Sequence, residues 1–187
     1  MRLFVAVFPP PETQRAAGAI IESLRRPGDG VSWVRPANLH YTLRFIGEVG
    51  DDGARRVGLA ADEAVGGLTA FDLGLGGIGA FPDAMRARVF WLGLTAGAGA
   101  LVALARSLDA ALERRGFDRE RRGFEPHLTL GRVRDPRDDW STRLAAGMAA
   151  PAPAGFRVDR LSVVESRLHP KGSIYTVRHE ARLGATA

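Results

Sequence analysis

The sequence of 187 residues contains no cysteine. Disulfide bonds and thiolate metal sites are therefore excluded, and the reducing cytoplasm is the expected location. No apolar run approaches the roughly 18 residues that a membrane-spanning helix requires. The apolar start of the chain, residues 1–8, is short and is broken at Pro9, so it predicts a first strand rather than a secretion signal. We expect a protein that makes no contact with a membrane.

Lysine is nearly absent, because Lys171 is the only lysine among 26 basic residues. The formal net charge of +5 favours an anionic partner, and arginine binds phosphate through two parallel hydrogen bonds. The arginine-rich stretch 113–122 is compatible with such a partner and equally with a solvated linker. Aromatic residues are only 7% of the chain, which argues against a dedicated single-strand RNA-binding module built on stacking platforms.

One short pattern occurs twice in the chain. His40-Tyr41-Thr42-Leu43 recurs as His127-Leu128-Thr129-Leu130, which is 127 − 40 = 87 positions later. Side chains two apart in a strand point to the same face, so each histidine shares a face with its threonine. The apolar neighbours point the other way, toward a core. Each copy therefore predicts an amphipathic strand with a polar side, and the two polar sides are expected to face each other.

The elements around the two copies indicate the fold. Apolar periodicity predicts helices at 12–25, 52–65, 101–116 and 138–148, and strands at 3–8, 31–35, 40–46, 71–75, 88–94, 126–133, 156–168 and 173–182. Alternation of strands and helices is compatible with a parallel sheet, but the closing strand pairs with short turns favour α+β with antiparallel sheets. The rough two-fold repeat predicts a single domain over 1–187. We expect two pseudo-symmetric lobes, each with an antiparallel sheet and flanking helices, and an active-site cleft between them.

Paired histidines suit acid–base chemistry. The ordinary histidine pKa of about 6.5 allows proton transfer in both directions near neutral pH. Two histidines without nearby carboxylates or thiolates fall short of the usual three or four ligands of a metal, so neither a metal nor another cofactor is expected. No serine stands in a nucleophile-elbow motif. His169 and His179 lie outside the repeat and are interpreted as surface or turn residues.

An arginine close to each motif is a candidate phosphate ligand. Strict alternation places Arg132 on the face opposite His127, so Arg132 reaches the cleft only if the strand bulges or ends at Gly131. Arg44 lies on the His40 face by counting and is the weaker rival. Our hypothesis is therefore that the strand either bulges or ends at Gly131 and that Arg132 reaches the cleft.

The two motifs carry a resemblance to a known family. Residues 40–47, HYTLRFIG, and 124–132, FEPHLTLGR, resemble the paired His-x-Thr signature of the two-histidine phosphoesterase superfamily. Within it, the chain is similar to bacterial RNA 2′,3′-cyclic phosphodiesterases, historically called 2′–5′ RNA ligases. The similarity extends to residues 1–6, 33–34, 81–82, 88–93, 166–168 and 172–175, and it spans nearly the whole chain.

The resemblance implies a function and site residues. It implies metal-independent hydrolysis of a terminal ribose 2′,3′-cyclic phosphate of RNA to a 2′-phosphate by a monomer. By the family pattern His40 is the general acid and His127 the general base, although the reverse ligation exchanges these roles. Thr42, Thr129 and Arg132 bind the phosphate. Three alternatives remain open: a 2′–5′ RNA ligase, a cyclic phosphodiesterase for small nucleotides, and a non-catalytic module that binds RNA ends.

Overall fold

The computed structural model describes residues 1–121, 123–134, 139–148, 151–170 and 172–185. These residues form nine strands and four α-helices. In chain order they are β1 (Arg2–Val7), α1 (Pro11–Leu24), β2 (Val31–Trp33), β3 (Tyr41–Glu48), α2 (Asp51–Val65), β4 (Phe71–Phe81), β5 (Val89–Ala96), α3 (Ala98–Glu113), β6 (Leu128–Val133), α4 (Ser141–Met148), β7 (Phe156–Val158), β8 (Arg160–Arg167) and β9 (Ile174–Arg182).

The strands build two antiparallel sheets. The first sheet has the order β3-β1-β8-β9, and the second has the order β2-β6-β5-β4-β7. Every pair of neighbouring strands in these sheets is antiparallel. The predicted α+β class with antiparallel sheets is therefore confirmed, and the parallel alternative is wrong. The two motif strands, β3 and β6, lie in different sheets.

The lobes do not correspond to the two halves of the chain. The carboxyl-terminal strands β8 and β9 complete the first sheet, whereas the early strand β2 pairs with β6 in the second sheet. The predicted strand 156–168 is in fact two strands, β7 and β8, which belong to different sheets and are separated by Asp159. Hydrophobic pattern did not reveal this break because both strands are apolar and the crossing takes a single residue.

The helices cover one face of each sheet. Helices α2 and α3 contact the first sheet, and α1 and α4 contact the second. The predicted helices are confirmed within a few residues, and α4 begins where the backbone N–H of Ser141 donates to the Asp139 carboxylate at 2.9 Å. The predicted start of that helix at residue 138 lies outside the described residues. Among the described residues no helix is long and apolar enough to cross a membrane.

Strand β1 has apolar side chains on both faces, and other side chains of the protein pack against each face. Leu3, Val5 and Val7 belong to the large core beneath the helices. Phe4 and Ala6 face the other way and form a small apolar cluster with Val164, against which Phe8 and Tyr175 pack. This second cluster lies on the face that the helices leave uncovered, and it becomes the wall of the site described next.

Candidate active site

The first histidine stands at the entrance of β3. A single 3₁₀ turn, Pro36–Asn38, precedes it. Because a carbonyl oxygen can only accept, the contact of 2.6 Å between His40 Nδ1 and the Asn38 carbonyl requires that Nδ1 carry a proton. The imidazole is half-buried, with ring centroids of Phe4, Phe8 and Tyr175 at 4.8, 5.3 and 5.4 Å. Nε2 is therefore the nitrogen of His40 that remains for proton transfer.

The second histidine stands in the corresponding place, directly before β6. Its Nδ1 donates to the carbonyl of Glu125 at 2.8 Å, which is again the residue two positions earlier. The edge of its ring meets Phe81, with centroids 5.4 Å apart. In each copy of the motif, Nδ1 is thus bound to the backbone carbonyl two residues before the histidine, and Nε2 is left available.

The bulge, one of the two alternatives predicted at Gly131, is present in β6. Phe90 of β5 pairs with Gly131 and the next residue, Trp91, pairs with Thr129, so Leu130 is the extra residue in the ladder. This irregularity turns Arg132 to the same side as Thr129, and both residues line one cavity. Glycine is required at the bulge because a Cβ on Gly131 would lie 2.8 Å from the Trp33 ring and 2.9 Å from Val31.

A bulge that the sequence did not predict removes Arg44 from the site. In the pairing of β1 with β3, Ala6 lies opposite Thr42 and Val5 lies opposite Arg44, so Leu43 is an extra residue. Counting places Arg44 on the His40 face, and that prediction is wrong. The guanidinium lies on the helix side of the sheet, 3.0 Å from the Asp109 carboxylate of α3.

Four of the five predicted site residues line a cavity of about 180 Å³ that is bounded by strands of both sheets. These four residues are His40, Thr42, Thr129 and Arg132. The fifth, His127, is not among the residues that line the cavity, but its positive charge is one of the causes that lower the pKa of His40. Phe45 and Leu168 also line the cavity and are 64% and 79% exposed, so its rim is apolar. Three larger hollows in the described part of the chain, of about 1010, 700 and 330 Å³, contain none of the five residues.

The environment of His40 lowers its pKa. Burial is the main cause, since it disfavours the charged imidazolium, and the positive charges of Arg132 and His127 lower the pKa further. The hydrogen bond to Asn38 acts in the opposite direction. The pKa of Tyr175, which packs beside His40, is raised by burial. The surroundings that the protein itself supplies therefore disfavour a positive charge at His40.

The other two histidines are not among the residues that line the cavity, and they lie at the surface as predicted. His169 is exposed in the connection between β8 and β9. His179 Nε2 lies 2.7 Å from the Asp62 carboxylate on the surface of α2. In the described parts of the chain, no group of three or more histidine, cysteine, aspartate or glutamate side chains is arranged to hold a metal ion.

Sequence reasoning missed the residues that enclose the histidines. Phe8, Tyr175 and Phe81 contact the imidazoles from distant parts of the chain, and Asn38 and Glu125 contribute only backbone carbonyls. Every residue has a backbone carbonyl, so the residue type does not show which carbonyl will accept a hydrogen bond from a histidine. The sequence signal for the aromatic residues was their apolar character, which equally indicated a core.

Comparison with known proteins assigns the chain to a class. The profile of the 2′-5′ RNA ligase superfamily matches residues 9–170. The chain belongs to this superfamily, whose members are two-histidine phosphoesterases, as the resemblance of the motifs predicted.

Individual relatives are similar over nearly their full length. An RNA 2′,3′-cyclic phosphodiesterase of Thermotoga maritima is 36% identical over 182 residues, covering 97% of this chain and 95% of the relative. A protein of the same name from Methanothermobacter thermautotrophicus is 34% identical over 184 residues, covering 98% and 99%.

Solved structures share the fold. The protein TT0787 of Thermus thermophilus superposes with a TM-score of 0.82 at 28% identity over the whole of both chains. The E. coli protein LigT, complexed with 3′-AMP, superposes with a TM-score of 0.75 at 26% identity over 97% of both chains.

We predict that Gly131→Ala weakens both the fold and anion binding. The added methyl group meets Trp33 and Val31, and overpacking of this kind costs about 1–3 kcal/mol. Relief of the clash displaces Arg132, so the affinity for inorganic phosphate falls as well. Urea unfolding and calorimetric titration measure the two effects. Gly99→Ala is the control, because nothing lies within 4 Å of its Cβ position. Wild-type stability in Gly131→Ala would contradict the close packing.

We also predict that Arg132→Met raises the pKa of His40. The guanidinium lowers this pKa through its positive charge, so its removal makes protonation easier. NMR titration of the histidine ring signals measures the change without any substrate. Arg134→Met, at an exposed arginine just beyond β6, should leave the His40 pKa unchanged. An equal rise in both variants would mean that overall charge, rather than Arg132, sets the value.

Proposed function

We propose that this protein hydrolyses the 2′,3′-cyclic phosphate at the end of an RNA to a 2′-phosphate. The observation that carries the proposal is the pair of imidazoles, each held by a backbone carbonyl at Nδ1 and each leaving Nε2 for proton transfer. Thr42, Thr129 and Arg132 line the same cavity and supply hydrogen-bond donors for the oxygens of a phosphate. Relatives similar over nearly the whole chain bear the name of this activity.

The reaction divides between the two histidines. His127 accepts a proton from water at Nε2 while the water oxygen forms a bond to phosphorus. The bond from phosphorus to the 3′ oxygen breaks, and His40 donates its Nε2 proton to that leaving oxygen. Thr42, Thr129 and Arg132 stabilise the negative charge on the non-bridging oxygens. In ligation a 5′-hydroxyl takes the place of water: it loses its proton to His127 as its oxygen bonds to phosphorus, and His40 protonates the same leaving 3′ oxygen.

The substrate itself supports the protonated state that His40 needs. Burial and the charge of Arg132 lower the His40 pKa. A bound cyclic phosphate carries a negative charge beside Arg132, offsets that charge and raises the pKa again. His40 therefore gains its proton most readily when substrate is present, which links protonation of the acid to binding.

The size of the cavity supports a reaction at a chain end. A volume of about 180 Å³ is below the roughly 300–1,000 Å³ of sites that enclose drug-sized ligands. It suits the cyclic phosphate and ribose, with the base outside, against the exposed apolar rim of Phe45 and Leu168. E. coli LigT, a structural relative, has been crystallised with 3′-AMP, with ATP and with NADP⁺. Small nucleotides are therefore the alternative substrates to be compared.

We predict that the purified protein converts an oligoribonucleotide 2′,3′-cyclic phosphate to the 2′-phosphate in excess chelator. Phosphorus NMR assigns the position of the phosphate, and a 3′-phosphate product would contradict the assignment of the leaving oxygen. His40→Ala and His127→Ala should each lose roughly 10²–10⁴-fold in turnover. His179→Ala, at the surface pair with Asp62, is the matched control and should retain activity.

The same assay separates the alternatives. Loss of activity in chelator would contradict the metal-independent mechanism. Tight binding of the cyclic end without any product favours a non-catalytic binding module. Equal turnover of the oligonucleotide and of a mononucleotide 2′,3′-cyclic phosphate favours a small-nucleotide phosphodiesterase. Joining of an added 5′-hydroxyl RNA in preference to hydrolysis favours the ligase.

We predict a bell-shaped pH profile whose alkaline limb moves on substrate binding, because His40 must carry the proton that it donates. For kcat/KM, which reports the free enzyme, this limb lies at lower pH because the pKa of His40 is lowered. For kcat, which reports the complex, the limb lies at higher pH because the bound phosphate raises that pKa. Initial rates across pH 4–9 (roughly the range in which histidine titrates) measure both limbs. A kcat limb at lower pH than the kcat/KM limb would contradict this account.

A further inference from the structure

A segment between α3 and the second motif, described at residues 114–121 and 123–126, leads directly to His127. It contains most of the arginine-rich stretch that the sequence left as a linker or an RNA contact. Arg114 and Arg115 form ion pairs with one carboxylate, Glu63 of α2. The first part of the segment is thus held to a helix of the opposite lobe from β6. The positive charges of Arg114 and Arg115 are therefore paired with a carboxylate of the same protein.

The middle of the segment is held by Arg44. One guanidinium nitrogen contacts the Asp109 carboxylate at 3.0 Å and the Glu120 carboxylate at 3.5 Å. Another donates to the backbone carbonyl of Asp118. The backbone N–H of Glu120 in turn donates to Asp109 at 3.2 Å. A single side chain on the first motif strand therefore joins α3 and the segment that leads to the second motif.

The burial of Arg44 strengthens these electrostatic contacts. Its side chain is only 10% exposed and that of Asp109 is 21% exposed, so solvent screens the pair less than an ordinary surface pair. Arginine suits the place because its rigid fork reaches several acceptors at once, which a lysine ammonium on a flexible stem does less well. The equivalent position of the second motif, four residues after its histidine, is Gly131, which has no side chain to form such a link.

Packing alone does not fix the segment. Phe117 and Phe124 pack against the core near its two ends. Between them a hollow of about 1010 Å³ separates the segment from α3, and it is lined by both Leu43 and Phe124. The three residues that Arg44 contacts, Asp109, Asp118 and Glu120, all line this hollow. Loss of the guanidinium therefore removes contacts from the segment at Asp118 and Glu120, which lie between the two phenylalanines.

We propose that Arg44 is a positioning residue for His127. The carbonyl that holds His127 Nδ1 belongs to Glu125, which lies in the same segment five residues beyond Glu120. Displacement of the segment moves this carbonyl, and the imidazole loses the partner that fixes its tautomer and orientation. The first motif strand thus contributes twice: His40 and Thr42 face the cavity, and Arg44, turned away by the bulge at Leu43, holds the approach to the second motif. The catalytic part of this inference rests on the proposed function.

The test is Arg44→Met with two readouts. Long-range proton–nitrogen NMR reports the tautomer of each histidine, and four histidines make the spectrum assignable. We expect the His127 signals to move toward a mixture of tautomers while the His40 signals stay in place. We also expect kcat on a 2′,3′-cyclic phosphate to fall roughly 10–100-fold with KM unchanged, because the misplaced base affects the reaction more than binding.

Arg143→Met is the matched control. Arg143 also pairs with an aspartate, Asp29 at 3.1 Å, and also donates to a backbone carbonyl, that of Leu24, but it contacts neither motif nor the segment. It should lower stability without changing the His127 tautomer or kcat. Arg44→Lys keeps a charge beside Asp109 and should lie between wild type and Arg44→Met in both readouts. If Arg44→Met does not fold, the same two readouts are measured on Arg44→Lys.

Each outcome decides the proposal. Unchanged His127 signals in Arg44→Met would overturn it, and so would an equal fall of kcat in Arg143→Met. The NMR readout needs no turnover. If the wild-type protein proves inactive on cyclic phosphates, the proposed function fails, and the positioning of His127 by Arg44 is still decided by the tautomer.

Discussion

The hydrogen bond from a histidine Nδ1 to the carbonyl two residues earlier is the interaction on which the site depends. It occurs at His40 with Asn38 and at His127 with Glu125. In each case it ties the imidazole to the backbone just before a strand begins, so the rigid sheet carries the ring. Because it assigns the proton to Nδ1, it also decides which nitrogen can exchange protons with a ligand. The two copies of the sequence motif therefore place their histidines in the same tautomer, with the proton on Nδ1.

Around this shared device the two copies differ in their surroundings. His40 lies among three aromatic rings, whereas His127 meets one, and burial lowers the pKa of His40. Arg132 accompanies the second motif into the cavity, while the arginine of the first motif, Arg44, faces the helices. Two imidazoles in identical settings would compete equally for a proton. The asymmetry lowers the pKa of His40 through burial and through the charge of Arg132, and these surroundings are not repeated around the second motif.

The sequence predicted the parts of this arrangement that follow from local pattern. The pairing of His40 with Thr42 and of His127 with Thr129 followed from the period of a strand, and the helices followed from their apolar stripes. Even the bulge at Gly131 was one of the two predicted alternatives, because glycine marks such positions and Arg132 needed one. The bulge at Leu43 carries no such mark, so counting placed Arg44 on the wrong face. A ladder irregularity depends on the partner strand, and no residue of β3 encodes the register of β1.

The assignment of strands to sheets escaped the sequence for a related reason. The single residue Asp159 separates β7 from β8, and the chain changes lobe there without a turn signal such as glycine or proline. The consequence is functional as well as topological. Because β8 and β9 close the first sheet, Tyr175 from the end of the chain packs against His40 near its beginning. The wall that buries His40, and so lowers its pKa, exists only after the chain has returned to the first lobe. The chemistry of the first motif is therefore completed by residues that local sequence around it does not contain.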